Sequence, residues 1–465
     1  MNNQVSWQKI SYSASSLKGR KILFANFPAD GHFNPLTGIA HHLKSLGCDV
    51  RWYTSKIYAQ KIQRLNIQHY PFVKGLEIVN EDFDQTFPER QLIKNQIRKL
   101  KFDLINAFIL RGPEYYADIM EIQKDFAFEL MIADSAFCGT PFVAEKLKVP
   151  VISIGVMPLT ETSKDLPPAG LGMTPSYTFI GKIKQAILRA VTDKFIFGAP
   201  NKVAWKIFDE YDIRHNNESV FDMITKKSAL FLQSGSPNFE YRRSDLSARV
   251  RFIGALLPFT TGNKQKPWYD VRLNQYDKLV LVTQGTVERD VEKLLVPTLE
   301  AFRDSDTLVV VTTGGSGTEQ LRKRFPDYNF IIEDFIPFSD VMPYADVYIT
   351  NGGYGGVMLG IENELPMVVA GVHEGKIEIN ARIGYFGLGV NLRTELPKPS
   401  AIRGAVEKIL TDHSYKQNVV QLAKELRTYN PNELTAQYVA SLLQERSGSF
   451  KAFKAIQSIQ GVQNL

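Results

Sequence analysis

Apolar runs of strand length alternate with stretches whose apolar positions recur every three to four residues. "KILFANF" (21–27) is short and continuously apolar, the pattern of a strand buried on both faces. Asn34 is placed to cap a helix and Pro35 suits its first turn. Leu36, Ile39, Ala40, Leu43 and Leu46 follow at helical spacing, and Gly47 ends the run. "DVRWYT" (49–54) is the next strand. Strand, helix and strand within about 35 residues make a βαβ unit and hence a parallel sheet. "FELMIAD" (128–134), a helix from near Gly139 and "VPVISIG" (149–155) repeat it. A proline-rich loop follows from Val156 to Ser176, then a helical stretch from about Ile183 to Tyr211.

A second series begins near Tyr276. Its strands are "KLVLVTQG" (278–285), "TLVVVTTGG" (307–315), "NFIIEDF" (329–335), "DVYITNGG" (346–353) and "MVVAG" (367–371). Helical patterns alternate with them, and three helices close the chain around 399–411, 414–428 and 432–445. The expected fold class is α/β, with two doubly wound sheets. The expected divisions are an N-terminal domain over 1–256 with a polar leader (1–18), a linker over 257–275, a C-terminal domain over 276–445, and a tail over 446–465 that could return to the first domain. The linker holds "LPFTTGNKQKPWYD", polar with Gly and Pro. Ligands of open sheets bind at the carboxyl ends of the strands, so a site is expected between the two sheets.

With 465 residues, 44% of them hydrophobic, the chain can fill two cores. Its net charge of +6 is spread along the sequence. It suits an anionic small molecule, and no basic stripe or motif points to nucleic acid. The two cysteines, Cys48 and Cys138, stand in apolar surroundings and read as buried free thiols, which fits a reducing cytoplasm. The leader has no apolar core of a signal peptide, and no apolar run reaches the length of a membrane span.

His32 follows the first strand in "GHFNP". There an imidazole is either a base for a hydroxyl proton or a turn residue. A base needs an orienting carboxylate. Asp134, at the end of "ELMIAD" in the same sheet, is the candidate, and its alternative role is a helix cap. In the second half, "TNGGYGG" (350–356) and "TQGT" (283–286) both follow strands. Such turns let backbone approach a diphosphate, or are simply tight. "TTGGSGTEQ" (312–320) is a weaker phosphate-loop pattern, with Gln320 where a dinucleotide fingerprint has its third glycine. "DFD" (82–84) and "DSD" (304–306) resemble metal-binding pairs but read as solvated turns. No metal site is expected.

"GHFNP", Asp134, "TQGT", "DFIPF" and "TNGGYGGVMLGIENELPMVVAG" together resemble the family 1 glycosyltransferases of GT-B fold, over about Gly19 to Leu443. The resemblance implies two Rossmann-like domains facing across a cleft. It implies inverting sugar transfer without metal or cofactor, with His32 as general base and Asp134 as its partner. It places donor contacts at Gly285, Thr286, Phe335 (stacked on the base), Ile336 (through its backbone amide), Gly352 and Gly353. Asn351 stands where the family has His, and Gly355 and Gly356 where the plant pattern has Asn and Ser. Phe338 replaces a Gln, and Leu359 replaces a ribose-binding Glu, which favours a thymidine nucleotide. In "AGVHEGKIEINAR" His373 and Glu374 are the nearest sugar contacts, with Lys376 near the diphosphate. "PLTETSKDLPPAGLG" and "LKGRKILFANFPADGHFNPLTG" look like bacterial enzymes that move rhamnose from dTDP-L-rhamnose to flavonoids. The expected partners are therefore that donor, or another dTDP- or UDP-sugar, and a phenolic acceptor. Phe33, Phe108, Phe137 and Met157 are candidates for the acceptor pocket, with core packing as their alternative. A protein that binds a nucleotide sugar without turnover is the other reading.

Overall fold

The structure, a computed structural model, describes residues 14–78, 83–259, 267–285, 288–373 and 375–446. Thirteen strands in these segments form two wholly parallel sheets. The first holds β1 (Lys21–Ala25), β2 (Asp49–Thr54), β3 (Gln68–Pro71), β4 (Leu130–Asp134), β5 (Val151–Gly155), β6 (Leu230–Gln233) and β7 (Val250–Phe252), in the order β3-β2-β1-β4-β5-β6-β7. The second holds β8 (Lys278–Thr283), β9 (Thr307–Thr312), β10 (Phe330–Glu333), β11 (Val347–Thr350), β12 (Met367–Val369) and β13 (Gly389–Asn391), in the order β10-β9-β8-β11-β12-β13. In each sheet the chain winds outward one way, returns to the middle and winds out the other. The switch point lies between β1 and β4 in one sheet and between β8 and β11 in the other. Pairing Ala25 with Ala133 and Thr283 with Thr350 brings the carboxyl ends at each switch point level. A doubly wound sheet opens its ligand crevice there.

β3, β6, β7 and β13 are not among the expected strands. Each has three or four residues, and sequences such as "QHYP" and "GVN" carry too little apolar pattern to stand out. The first helix also differs. It runs Asp30–Ser45, not from Asn34, because the N–H groups of His32 and Phe33 both donate to the Ala29 carbonyl. Asp30 places a negative charge in the first turn, where the helix dipole favours it. Pro35 therefore lies inside the helix, and the Gly31 carbonyl forgoes its usual partner. His32 thus sits in the opening turn of the helix.

The helices Pro399–Thr411 and Ser414–Leu426 pack on the second sheet through Ile402, Val406, Val419 and Leu422. The last helix, Pro431–Arg446, crosses back. Its Ala436, Val439, Ala440 and Leu443 complete the core beneath Leu36, Ile39 and Leu43 of the first helix. The return to the first unit therefore comes before the tail, and residues 447–465 lie outside the described residues.

One buried ion cluster joins the units. Arg382, 2% exposed, donates to Glu240 at 2.8 and 3.2 Å and to Glu378 at 3.0 Å. Its guanidinium lies 4.3 Å from the centre of the Tyr241 ring. Glu378 also accepts the N–H groups of Gly170 and Gly172, both at 2.8 Å, so the proline-rich loop is held to the second unit. The Tyr354 hydroxyl donates to the Ser234 carbonyl at 2.7 Å.

Burial pushes the Cys48 thiol up to about 11 and the Cys138 thiol up to about 12. Both are protonated at neutral pH, and a thiol reacts only as the thiolate. Neither should react with a disulfide reagent such as DTNB in the native protein at pH 7.5, and both should react once guanidinium unfolds it. Rapid reaction of the native protein would contradict this placement.

Candidate active site

His32 and Asp134 meet at the first switch point. His32 Nδ1 lies 2.6 Å from Asp134 Oδ1. Asp134 is completely buried, so its oxygens must be paired within the protein. The Phe27 N–H donates to Oδ2 at 2.6 Å and the Ala136 N–H donates to Oδ1 at 2.8 Å. The residue is both a turn-capping group and the partner of the imidazole. An ionised carboxylate only accepts, so Nδ1 is the ring nitrogen that donates, and a neutral imidazole here has its lone pair on Nε2. That is the tautomer a base needs. The imidazole keeps 15% of its side chain exposed.

Aromatic side chains wall the imidazole. Phe27 stands edge-on to it with centroids 5.5 Å apart. Phe108 stacks on Phe27 at 4.5 Å, and Phe83 meets both edge-on at 6.2 and 6.1 Å. Phe108 was expected on this side. Phe27 and Phe83 are additions; Phe27 could have been found from its place just after β1. Two other acceptor candidates are elsewhere. Phe33 is 1% exposed and stacks in the core on Tyr58 at 4.4 Å. Successive helical residues point about 100° apart, so with His32 at the strand ends its neighbour turns to the sheet. Phe137 is fully buried and stacks on Tyr115 at 4.7 Å. Met157 is half-buried against the first core, and a Cβ on Gly375 would lie 3.6 Å from its Sδ.

At the second switch point two loops are tied together. Asn351 donates through Nδ2 to the Gln284 carbonyl and accepts from the Gly353 N–H at 3.3 Å through Oδ1. This side chain serves first as a brace between the loops after β8 and β11. Gly352 has φ +85°, and a Cβ there would stand 1.8 Å from Asn380 Oδ1. Asn380 is buried and donates to the carbonyls of Gly371 at 2.9 Å and Asn351 at 3.3 Å. Nothing in "KIEINAR" marks it. Gly285 also has positive φ, at +79°. The helix Tyr354–Glu362 begins after Gly353 with no side-chain cap. Open space lies beside Gly355, where a Cβ would meet nothing within 4 Å. Gly355 and Gly356 therefore present first-turn N–H groups at a helix N-terminus, a setting for a diphosphate.

Phe335 is 70% exposed, beside the turn after β9, where a Cβ on Gly315 would be 3.8 Å from its ring. The Ile336 side chain is buried, leaving its backbone as the part a ligand could reach. The "TTGGSGTEQ" turn is tied to the segment that follows β10. Its Thr318 hydroxyl donates to the Asp334 carboxylate and its Gly314 N–H to the Asp334 carbonyl at 2.9 Å. It supports the Phe335 platform and lies apart from the glycine turn after β11. Phe338 packs against the second core. Leu359 is half-buried against the same core. His373 is exposed, and its N–H donates to Glu395 at 3.0 Å. The Lys376 stem runs past Gly371, where a Cβ would be 3.1 Å from its Cδ. Thr286 and Glu374 lie outside the described residues.

In the "DFD" and "DSD" pairs, Asp84 and Asp306 face cations of the protein. Asp84 pairs with Arg90 and Lys99, and Asp306 with Lys278 at 3.0 Å. Asp82 lies outside the described residues. Among the described residues no three His, Cys, Asp or Glu side chains converge for a metal ion. Nor is any helix among them long and apolar enough to cross a membrane.

Known proteins resemble this chain over most of its length. Residues 297–441 match the erythromycin biosynthesis protein CIII-like C-terminal domain. The chain is 30% identical over 407 residues to 4'-demethylrebeccamycin synthase of Lentzea aerocolonigenes, spanning 88% of this chain and 96% of that one. It is 30% identical over 428 residues to UDP-glucosyltransferase 1 of Beauveria bassiana, spanning 87% and 91%. Among solved structures it superimposes on the calicheamicin glycosyltransferase with a TM-score of 0.71 at 19% identity, covering 92% of this chain and 99% of that one.

Proposed function

Since the chain belongs to the family 1 glycosyltransferases of GT-B fold, enzymes that move sugar from a nucleotide donor, we propose that it transfers L-rhamnose from dTDP-β-L-rhamnose to a phenolic hydroxyl. The observation that carries the catalytic part is the 2.6 Å contact of His32 with buried Asp134, beside the Phe27–Phe108 stack. Nε2 takes the acceptor's proton while that oxygen attacks the anomeric carbon. The bond from that carbon to the diphosphate oxygen breaks on the opposite face, so a β-linked donor gives an α-linked product. Asp134 stabilises the imidazolium. The N–H groups of Gly355 and Gly356, with Lys376, receive the charge that grows on the leaving diphosphate. Phe83 and Phe108, both half-buried, offer ring surface to a planar aromatic acceptor, and buried Phe27 backs them.

The rhamnose reading rests on the sequence likeness to bacterial rhamnosyltransferases. Leu359 adds to it. An apolar side chain where the family holds ribose hydroxyls favours a deoxyribonucleotide. A second reading, UDP-glucose as donor, is favoured by the relatives that are UDP-glucosyltransferases. A donor without turnover is disfavoured, because a protein that only binds needs no oriented imidazole.

Quercetin with dTDP-L-rhamnose, dTDP-glucose and UDP-glucose in separate reactions, read by mass spectrometry, separates these. A deoxyhexose adduct from dTDP-rhamnose alone is expected. A hexose adduct would overturn the donor, and binding of all three without product would overturn turnover. Excess EDTA should leave the rate unchanged; loss restored by a divalent ion would contradict the metal-free mechanism.

A further inference from the structure

The helix Phe179–Thr192 is turned inside out. Phe179, Ile180, Ile183, Ile187 and Val191, with Phe195 in the wider turn that follows, recur at helical spacing. Such a stripe ordinarily faces a core. Here Phe179 is 80% exposed, Ile180 77%, Ile187 60% and Phe195 62%. The inward positions are polar, with Gln185 and Thr192 both buried.

Hydrogen bonds fix this orientation. Gln185 accepts the Ser176 N–H at 2.6 Å and donates to the Asp165 carbonyl at 3.1 Å. Arg189 donates to the Leu166 carbonyl. Thr178 caps the N-terminus by accepting the Gly181 N–H at 3.1 Å. Turning the stripe inward would break these bonds and strand Gln185, so the apolar face is held outward.

The charges beside it are mostly basic, with one exposed carboxylate, Asp193, at the end of the helix. At 100° per residue Lys182 and Lys184 flank the apolar arc on its two sides, and the helix carries no acidic residue over 179–192. In the next turn exposed Lys194 holds its amine 5.6 Å from the centre of the Phe195 ring. A broad apolar face edged by lysines is the pattern of a helix lying in a bilayer interface. The apolar side chains enter the headgroup–acyl boundary and the amines meet lipid phosphates.

We propose that this helix docks the protein on the surface of an anionic lipid bilayer, with the stripe from Phe179 to Phe195 as the inserted face. The inference is independent of the donor and acceptor. The chain would lie on the membrane without crossing it.

Sedimentation of the full-length protein with vesicles tests this. The expected result is binding to vesicles of equal phosphatidylglycerol and phosphatidylcholine, weakened by salt, and much weaker binding to phosphatidylcholine alone. Ile183→Asp with Ile187→Asp changes only exposed positions. It should cut anionic-vesicle binding by roughly tenfold or more with an unchanged unfolding midpoint. Lys182→Gln with Lys184→Gln leaves the stripe intact and should cost roughly fivefold per lysine. The proposal is overturned if the protein ignores both vesicles. It is overturned equally if the aspartate variant binds like wild type, or if ultracentrifugation shows a dimer that the variant dissolves while wild type ignores anionic vesicles.

Discussion

Replacing His32 by Ala should lower kcat by about 10²–10⁴-fold while leaving nucleotide affinity unchanged. The loss is large because no other base is set at this place: Asp134 has its oxygens taken by the imidazole and by the N–H groups of Phe27 and Ala136. Affinity is spared because the glycine turns, Phe335 and Lys376 belong to the other sheet. Saturating kinetics with calorimetry on dTDP reads both. Asp134→Asn is the companion. An amide at that position no longer demands a proton on Nδ1, so the tautomer that leaves Nε2 basic loses its anchor. Turnover should fall toward the His32→Ala level with the nucleotide still bound. A full kcat in either variant would remove the pair from the chemistry.

The largest effect on stability is expected at Arg382. The guanidinium is buried between Glu240 and Glu378, at 2.8 and 3.0 Å. Met in its place would leave two carboxylates without their cation at the seam between the units. Breaking a buried pair from one side costs about 3–5 kcal/mol, mostly as the desolvation of what remains. The urea midpoint of Arg382→Met should drop accordingly. Adding Glu240→Gln and Glu378→Gln removes the stranded charges and should recover much of the loss. If the single variant matched wild type, the cluster would not hold the units together.

The sequence disclosed the parts that repeat or that carry a strong local pattern. Long apolar strands such as Leu279–Val282 and Val309–Val311 were legible because a parallel sheet buries both faces. Asp134 was legible because it ends a strand of that kind, and His32 because it follows closely after one. The start of the first helix was not, since Asn34-Pro35 is a good local signal that the bonds to the Ala29 carbonyl override. Phe33 and Phe137 share the composition of a pocket wall, and only the helical phase of one and the packing of the other against Tyr115 send them to the core. Asn380 reaches back 29 positions to Asn351 and Arg382 reaches back 142 to Glu240, contacts that no local pattern encodes. The helix Phe179–Thr192 had a clear period, but periodicity alone does not say which side faces water. The hydrogen bonds of Gln185 decide that.

Transfer to a phenol and to a thiophenol, a far stronger acid, tests the proposed base most directly. A phenol must lose its proton as it attacks; an acidic thiophenol is already an anion near neutral pH. With wild type both should be glycosylated. With His32→Ala, transfer to the phenol should collapse while transfer to the thiophenol stays close to the wild-type rate. Equal loss for both acceptors, or no loss for either, would contradict the assignment of His32 as the group that takes the acceptor's proton.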